Sequence, residues 1–197
     1  MAQRAAATIG FRVRTGRATA VLMSGSAAAP FILERRAVQL CDPTVPESRQ
    51  PYHAALELSA AVGTRVVRRA TRAVHAVATR TVRELADALR AAGHRLTAVG
   101  LVIGSDTDPQ TLHNAHMRAH ALEGRLFWKA LEAAAERLEV PYLTLVEHCA
   151  FAAGAAALGR TPEELQRVVT ELGRAVGRPW GAEEKTAALA AWMALAG

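Results

Sequence analysis

From Thr97 to Ile103 the chain reads Thr-Ala-Val-Gly-Leu-Val-Ile, an apolar run too short for a buried helix of ordinary length. Such a run suits a strand covered on both faces. Gly104-Ser105-Asp106-Thr107-Asp108-Pro109 then breaks it with turn residues. From Leu112 to Glu123 the pattern becomes helical, with His113, His116, His120 and Glu123 expected along one stripe. A buried strand, a polar turn and a helix in that order predict an α/β sheet. Ligand sites in such sheets lie just past the carboxyl ends of the strands.

The chain has 197 residues, enough for one α/β domain with a sizeable core, and we expect a single domain over 1–197 with a loose tail at 1–7. Aromatics make up only 5% of residues, so Ala, Val and Leu must build that core. The net charge of +6 invites an anionic partner such as nucleic acid. A protein partner is the other expectation. Cys41 and Cys149 are too few for a disulfide framework or a four-cysteine zinc site. With no apolar segment of membrane length and no secretory pattern, a cytoplasmic protein is expected.

Before the central strand, Thr8–Arg14, Arg17–Met23 and Pro30–Leu40 read as an antiparallel meander, the first pair joined at Thr15-Gly16. Residues 41–52, broken by Pro43, Pro46 and Pro51, read as a loop. A long helix is predicted from Ser59 to Ala92, ended by Gly93. Arg65, Arg69 and Arg72 share one side of it, a solvated face on the simplest reading. Tyr142–Val146 is a fifth strand, ending at Glu147-His148. Thr161-Pro162-Glu163-Glu164 starts another helix as a capping box, and 182–195 forms the last.

Three strands, a helix, a strand, a helix, a strand and further helices form an order that resembles the ribonuclease H-like superfamily, most closely the RuvC-type Holliday-junction resolvases. Ile9-Gly10-Phe11-Arg12 is similar to that family's first-strand motif, Ala121-Leu122-Glu123-Gly124 to its segment on the helix after the fourth strand, and Glu184-Lys185-Thr186-Ala187-Ala188-Leu189-Ala190 to its last-helix motif. The resemblance implies a mixed five-stranded sheet flanked by helices: a three-stranded antiparallel meander plus two parallel strands. It also implies two divalent metals on four acidic side chains. Here Arg12 stands in place of the first Asp, and Ala187 replaces a last-helix acid that Glu184 alone retains. The fourth strand ends without Glu, with Asp106 just beyond. An arginine repels a metal and stays charged, so Arg12 is expected to pair with Glu184 or Asp106.

Three functions follow as expectations. One is a non-catalytic or catalytically degenerate module binding nucleic acid or a protein. Another is a metal-dependent phosphoester hydrolase with a remodelled site. The third is a nucleotide- or small-molecule-binding relative. For the hydrolase, the catalytic candidates are Asp106, His116, His120, Glu123 and Glu184. His116, His120 and Glu123 would be the ligands of zinc or manganese, because residues three and four apart share a helix face. The same histidines could instead be hydrogen-bonded surface residues. Arg12, Asn114 and Arg118 are the binding candidates.

Overall fold

The computed structural model describes residues 4–197. Strands β1 (Ala5–Arg14), β2 (Arg17–Gly25), β3 (Pro30–Gln39), β4 (His94–Ile103) and β5 (Tyr142–Val146) form one sheet in the order β3-β2-β1-β4-β5. β1–β2 and β2–β3 pair antiparallel, and β1–β4 and β4–β5 pair parallel. This is the mixed sheet the sequence predicts. The expected tail is shorter on the described side, because Ala5–Ala7 already pair with β4. Residues 1–3 lie outside the described residues. The fourth strand also starts earlier, at His94, directly after Gly93 turns the chain with φ +83°.

The loop expected over 41–52 carries more structure than its prolines suggest. A 3-10 turn at Pro46–Arg49 leads into a short helix, α1 (Pro51–Ala55). The other helices are α2 (Ala60–Ala91), α3 (Ala115–Arg137), α4 (Ala150–Leu158), α5 (Pro162–Leu172) and α6 (Ala182–Ala196). The capping box at Thr161 and Glu164 forms as its spacing requires. No helix among the described residues is long and apolar enough to cross a membrane.

The pleat sends alternate residues of β1 to opposite faces. Ile9, Phe11 and Val13 join Val74, Leu85, Phe127 and Leu131 in the core beneath α2 and α3. Gly10 faces α6, and Thr8 Oγ1 donates to the Ala191 carbonyl at 2.8 Å. Residues 186–194 of α6 are all buried, as expected of a helix apolar on every side. It packs on β1, β2 and β4 closely enough that a Cβ on Gly10 or Gly100 would collide with the carbonyl oxygen of Ala187 or Ala190.

Candidate functional site

Two groups of polar residues flank the carboxyl ends of β1 and β4, one on each face of the sheet. On the α6 face, Arg12 follows Gly10 in the pleat and is wholly buried. A guanidinium has five N–H donors, and each needs an acceptor when water is excluded. Nε donates to Glu147 Oε1 at 2.9 Å, Nη2 to Glu147 Oε2, and Nη1 to the Val13 carbonyl at 2.6 Å. Burial pulls the guanidinium below its ordinary pKa, opposed first by the Glu147 hydrogen bond. Two N–H groups on two carboxylate oxygens form the bidentate fork that arginine favours. The expected pairing with Glu184 or Asp106 is therefore corrected. β5 ends beside β4 and delivers Glu147 to Arg12, whereas the Glu184 carboxylate accepts from the Gly181 N–H and caps α6.

Glu183 lies one residue before that cap acid. It accepts from Arg14 Nε at 3.0 Å, from Arg17 Nη1 at 2.7 Å and from Thr19 Oγ1 at 3.2 Å. The Arg17 hydrogen bond, with further help from Arg14, holds its carboxyl down to about 2 from an ordinary 4.5. So the two acids nearest the first-strand position, Glu147 and Glu183, are both neutralised by arginines. Among the described residues four free carboxylates for a metal pair are not gathered there, and the residues present do not fit two divalent ions.

On the opposite face, α3 carries Glu123 into complete burial. Its oxygens accept the His53 backbone N–H at 3.1 Å and both lie 2.9 Å from His53 Nδ1. One turn earlier on α3, the His120 ring centre is 4.3 Å from that of His53, and the His116 ring 5.5 Å. Ligand atoms of His53, His120 and Glu123 all fall within 4.8 Å of one another. The i, i+3 spacing places His120 and Glu123 together as the sequence implies, with His116 at the rim. His53 has no sequence pattern and is brought in by α1, whose start Pro51 fixes. The only signal for it is its place in a long proline-punctuated connection.

His113 leaves the expected stripe, since it precedes the helix start. Asn114 is the N-cap of α3, its Oδ1 accepting from the Met117 N–H at 3.0 Å. Arg118 turns back to donate to the Leu112 carbonyl at 3.0 and 2.8 Å. Both binding candidates therefore hold the turn in front of α3. Asp106 is exposed and lines a cleft of about 240 Å³ with Arg14, Thr15, Ser105, His120 and Arg125. His120 thus belongs to the cleft and to the imidazole group at once.

A buried parallel pair at the sheet centre, an antiparallel meander beside it and a helix buried over residues 186–194 across one face define a ribonuclease H-like fold. The chain shares this fold with RuvC of Thermus thermophilus, at 14% sequence identity and a TM-score of 0.53, over 95% of this chain and 92% of that one. Against T. thermophilus RuvC in complex with a Holliday junction substrate the values are 14% and 0.54, over 95% and 90%. No family model and no curated protein sequence matches the chain.

Proposed function

We propose that the chain is a catalytically degenerate ribonuclease H-like module that binds nucleic acid. The observation that carries the reading is the Arg12–Glu147 pair at the sheet centre. In this reading the guanidinium replaces a metal, because it neutralises a strand-end carboxylate from within the sheet and cannot give up its proton. Arg14, Arg17 and Glu183 close the rest of that face. Without two divalent ions to stabilise attacking and leaving oxygens, the two-metal route to phosphodiester cleavage is lost.

Binding has separate support. Arg65, Arg68, Arg69 and Arg72 on α2 are exposed and, among the described residues, pair with no carboxylate. Their i, i+3, i+4, i+7 spacing lines them along one side of the helix, where they can meet successive phosphates. The solved complex of T. thermophilus RuvC with a Holliday junction substrate favours nucleic acid over a protein partner. Fluorescence anisotropy with branched and linear DNA tests this. Salt-sensitive binding without magnesium-dependent cleavage is expected. Robust magnesium-dependent cleavage, lost in an Asp106→Asn, Glu184→Gln variant, overturns the degenerate reading.

One observation favours the alternative, a phosphoester hydrolase with a remodelled site. His120 is shared between the imidazole–carboxylate group and the cleft that Asp106 lines. Cleavage supported by zinc or manganese but not magnesium, and lost in His120→Ala, would select that alternative.

A further inference from the structure

Among the described residues three charged side chains are buried: Arg12, Glu123 and Glu132. A buried charge needs an opposite charge or a metal. Arg12 has Glu147, and Glu132 has Lys129 Nζ at 2.8 Å and Thr144 Oγ1 at 2.6 Å. Glu123 has no arginine or lysine. Its partners are the backbone and ring of His53. Two more imidazoles, those of His120 and His116, stand beside the His53 ring, and His120 is within reach of the same carboxylate.

We propose that His53, His120 and Glu123 form a zinc site joining α1 to α3. Two imidazoles and one carboxylate are a recognised zinc ligand set that keeps a fourth position for water or another ligand. Imidazole donors favour zinc over magnesium or calcium, which prefer oxygen. The ligand atoms already lie within 4.8 Å of one another, so small side-chain adjustments suffice to close them on one ion. His116 stands outside this group, at the exposed rim with its ring 5.5 Å from that of His53, which leaves the fourth position to water or another ligand. Glu123 then gains a divalent counter-charge where the protein supplies no arginine or lysine. The short helix α1 becomes tied to the first half of α3. This site lies on the opposite face of the sheet from Arg12 and does not depend on whether the chain binds nucleic acid.

The test uses the full chain, stripped with EDTA and titrated with zinc against a chromophoric chelator. One equivalent is expected to bind, with a rise in Tm as zinc is added. His120→Ala, at an exposed position, should fold and weaken binding by about 100-fold or more, beyond what losing an outer hydrogen-bond partner does. His113→Ala, outside the group, should change neither affinity nor the Tm response. Failure of the wild type to take up stoichiometric zinc overturns the site and leaves His53–Glu123 as a hydrogen-bonded pair. Equal zinc binding by His120→Ala overturns it too, by moving the metal elsewhere. If Glu123→Gln fails to fold, the His120 result still decides.

Discussion

Arg12 and Glu147 are an unequal pair: the arginine is wholly buried, while the glutamate side chain is 37% exposed. Removing either partner therefore has different consequences. Glu147→Ala leaves a buried guanidinium that retains charge and keeps only backbone acceptors. That should cost about 3 kcal/mol, the lower end for an uncompensated buried charge. Arg12→Met leaves a carboxylate that water can reach, and should cost less. The Arg12→Met, Glu147→Ala double variant should recover much of the Glu147→Ala loss, since apolar residues can replace a buried pair with little penalty. Urea unfolding of the three variants, read as a cycle, checks this. Glu183 gives a pH signature. Its carboxyl is near 2 when folded and near 4.5 when free, so its stabilisation is complete above about pH 4.5 and disappears as the pH falls through 2. With its arginine partners half exposed, the contribution is about 1 kcal/mol. The stability gap between wild type and Glu183→Gln should narrow from pH 5 to pH 2 in denaturant titrations.

At the scale of elements, α6 lies so close to the sheet that two glycines beneath it have no room for a side chain. Gly10→Ala places a methyl on the Ala187 carbonyl, a backbone group that cannot swing aside. The helix must lift from β1, at a cost of about 3 kcal/mol or more, the upper range of overpacking. Gly93→Ala, with open space around it, should cost less and only through its positive φ. Thermal melts of the two variants should differ clearly. The strands and long helices were legible because their patterns are local: an apolar run, a turn, a helical period. The sites were legible only where the relevant spacing lies within one helix. His120 and Glu123 meet because they are three apart on α3. His53 meets Glu123 from 70 residues away, and Glu147 meets Arg12 across 135. Neither distance leaves a trace in local sequence, because both depend on how α1 docks and on β5 lying beside β4.

For the whole molecule, charge and fold make separate predictions. If the stripe on α2 contacts phosphates, replacing Arg65, Arg68, Arg69 and Arg72 with Gln should weaken DNA binding across all sequences. The slope of log K against log salt should fall by up to about 3–4, near 0.9 per lost contact. Anisotropy at several salt concentrations measures it, and an unchanged slope would move binding to another face. Glu147→Ala should leave that slope unchanged, since its partner Arg12 is buried.

The hydrogen bond from Thr8 to Ala191 spans 183 positions, and it has a meaning in time. A ribosome working at roughly 5–20 residues per second needs roughly 10–40 s to travel from one to the other. Once residues up to 137 are made, β1, β2 and β4 can pair and α2 and α3 can cover one face, but until α6 follows the face built on Gly10, Val21, Met23 and Val102 has no lid. Outside the exit tunnel, a sheet that forms before α6 is made shows a bare apolar surface. Its burial waits on a helix with hardly any amphipathic character to guide it home. During this delay an opportunistic neighbour or a chaperone has access to a surface that the finished protein never shows.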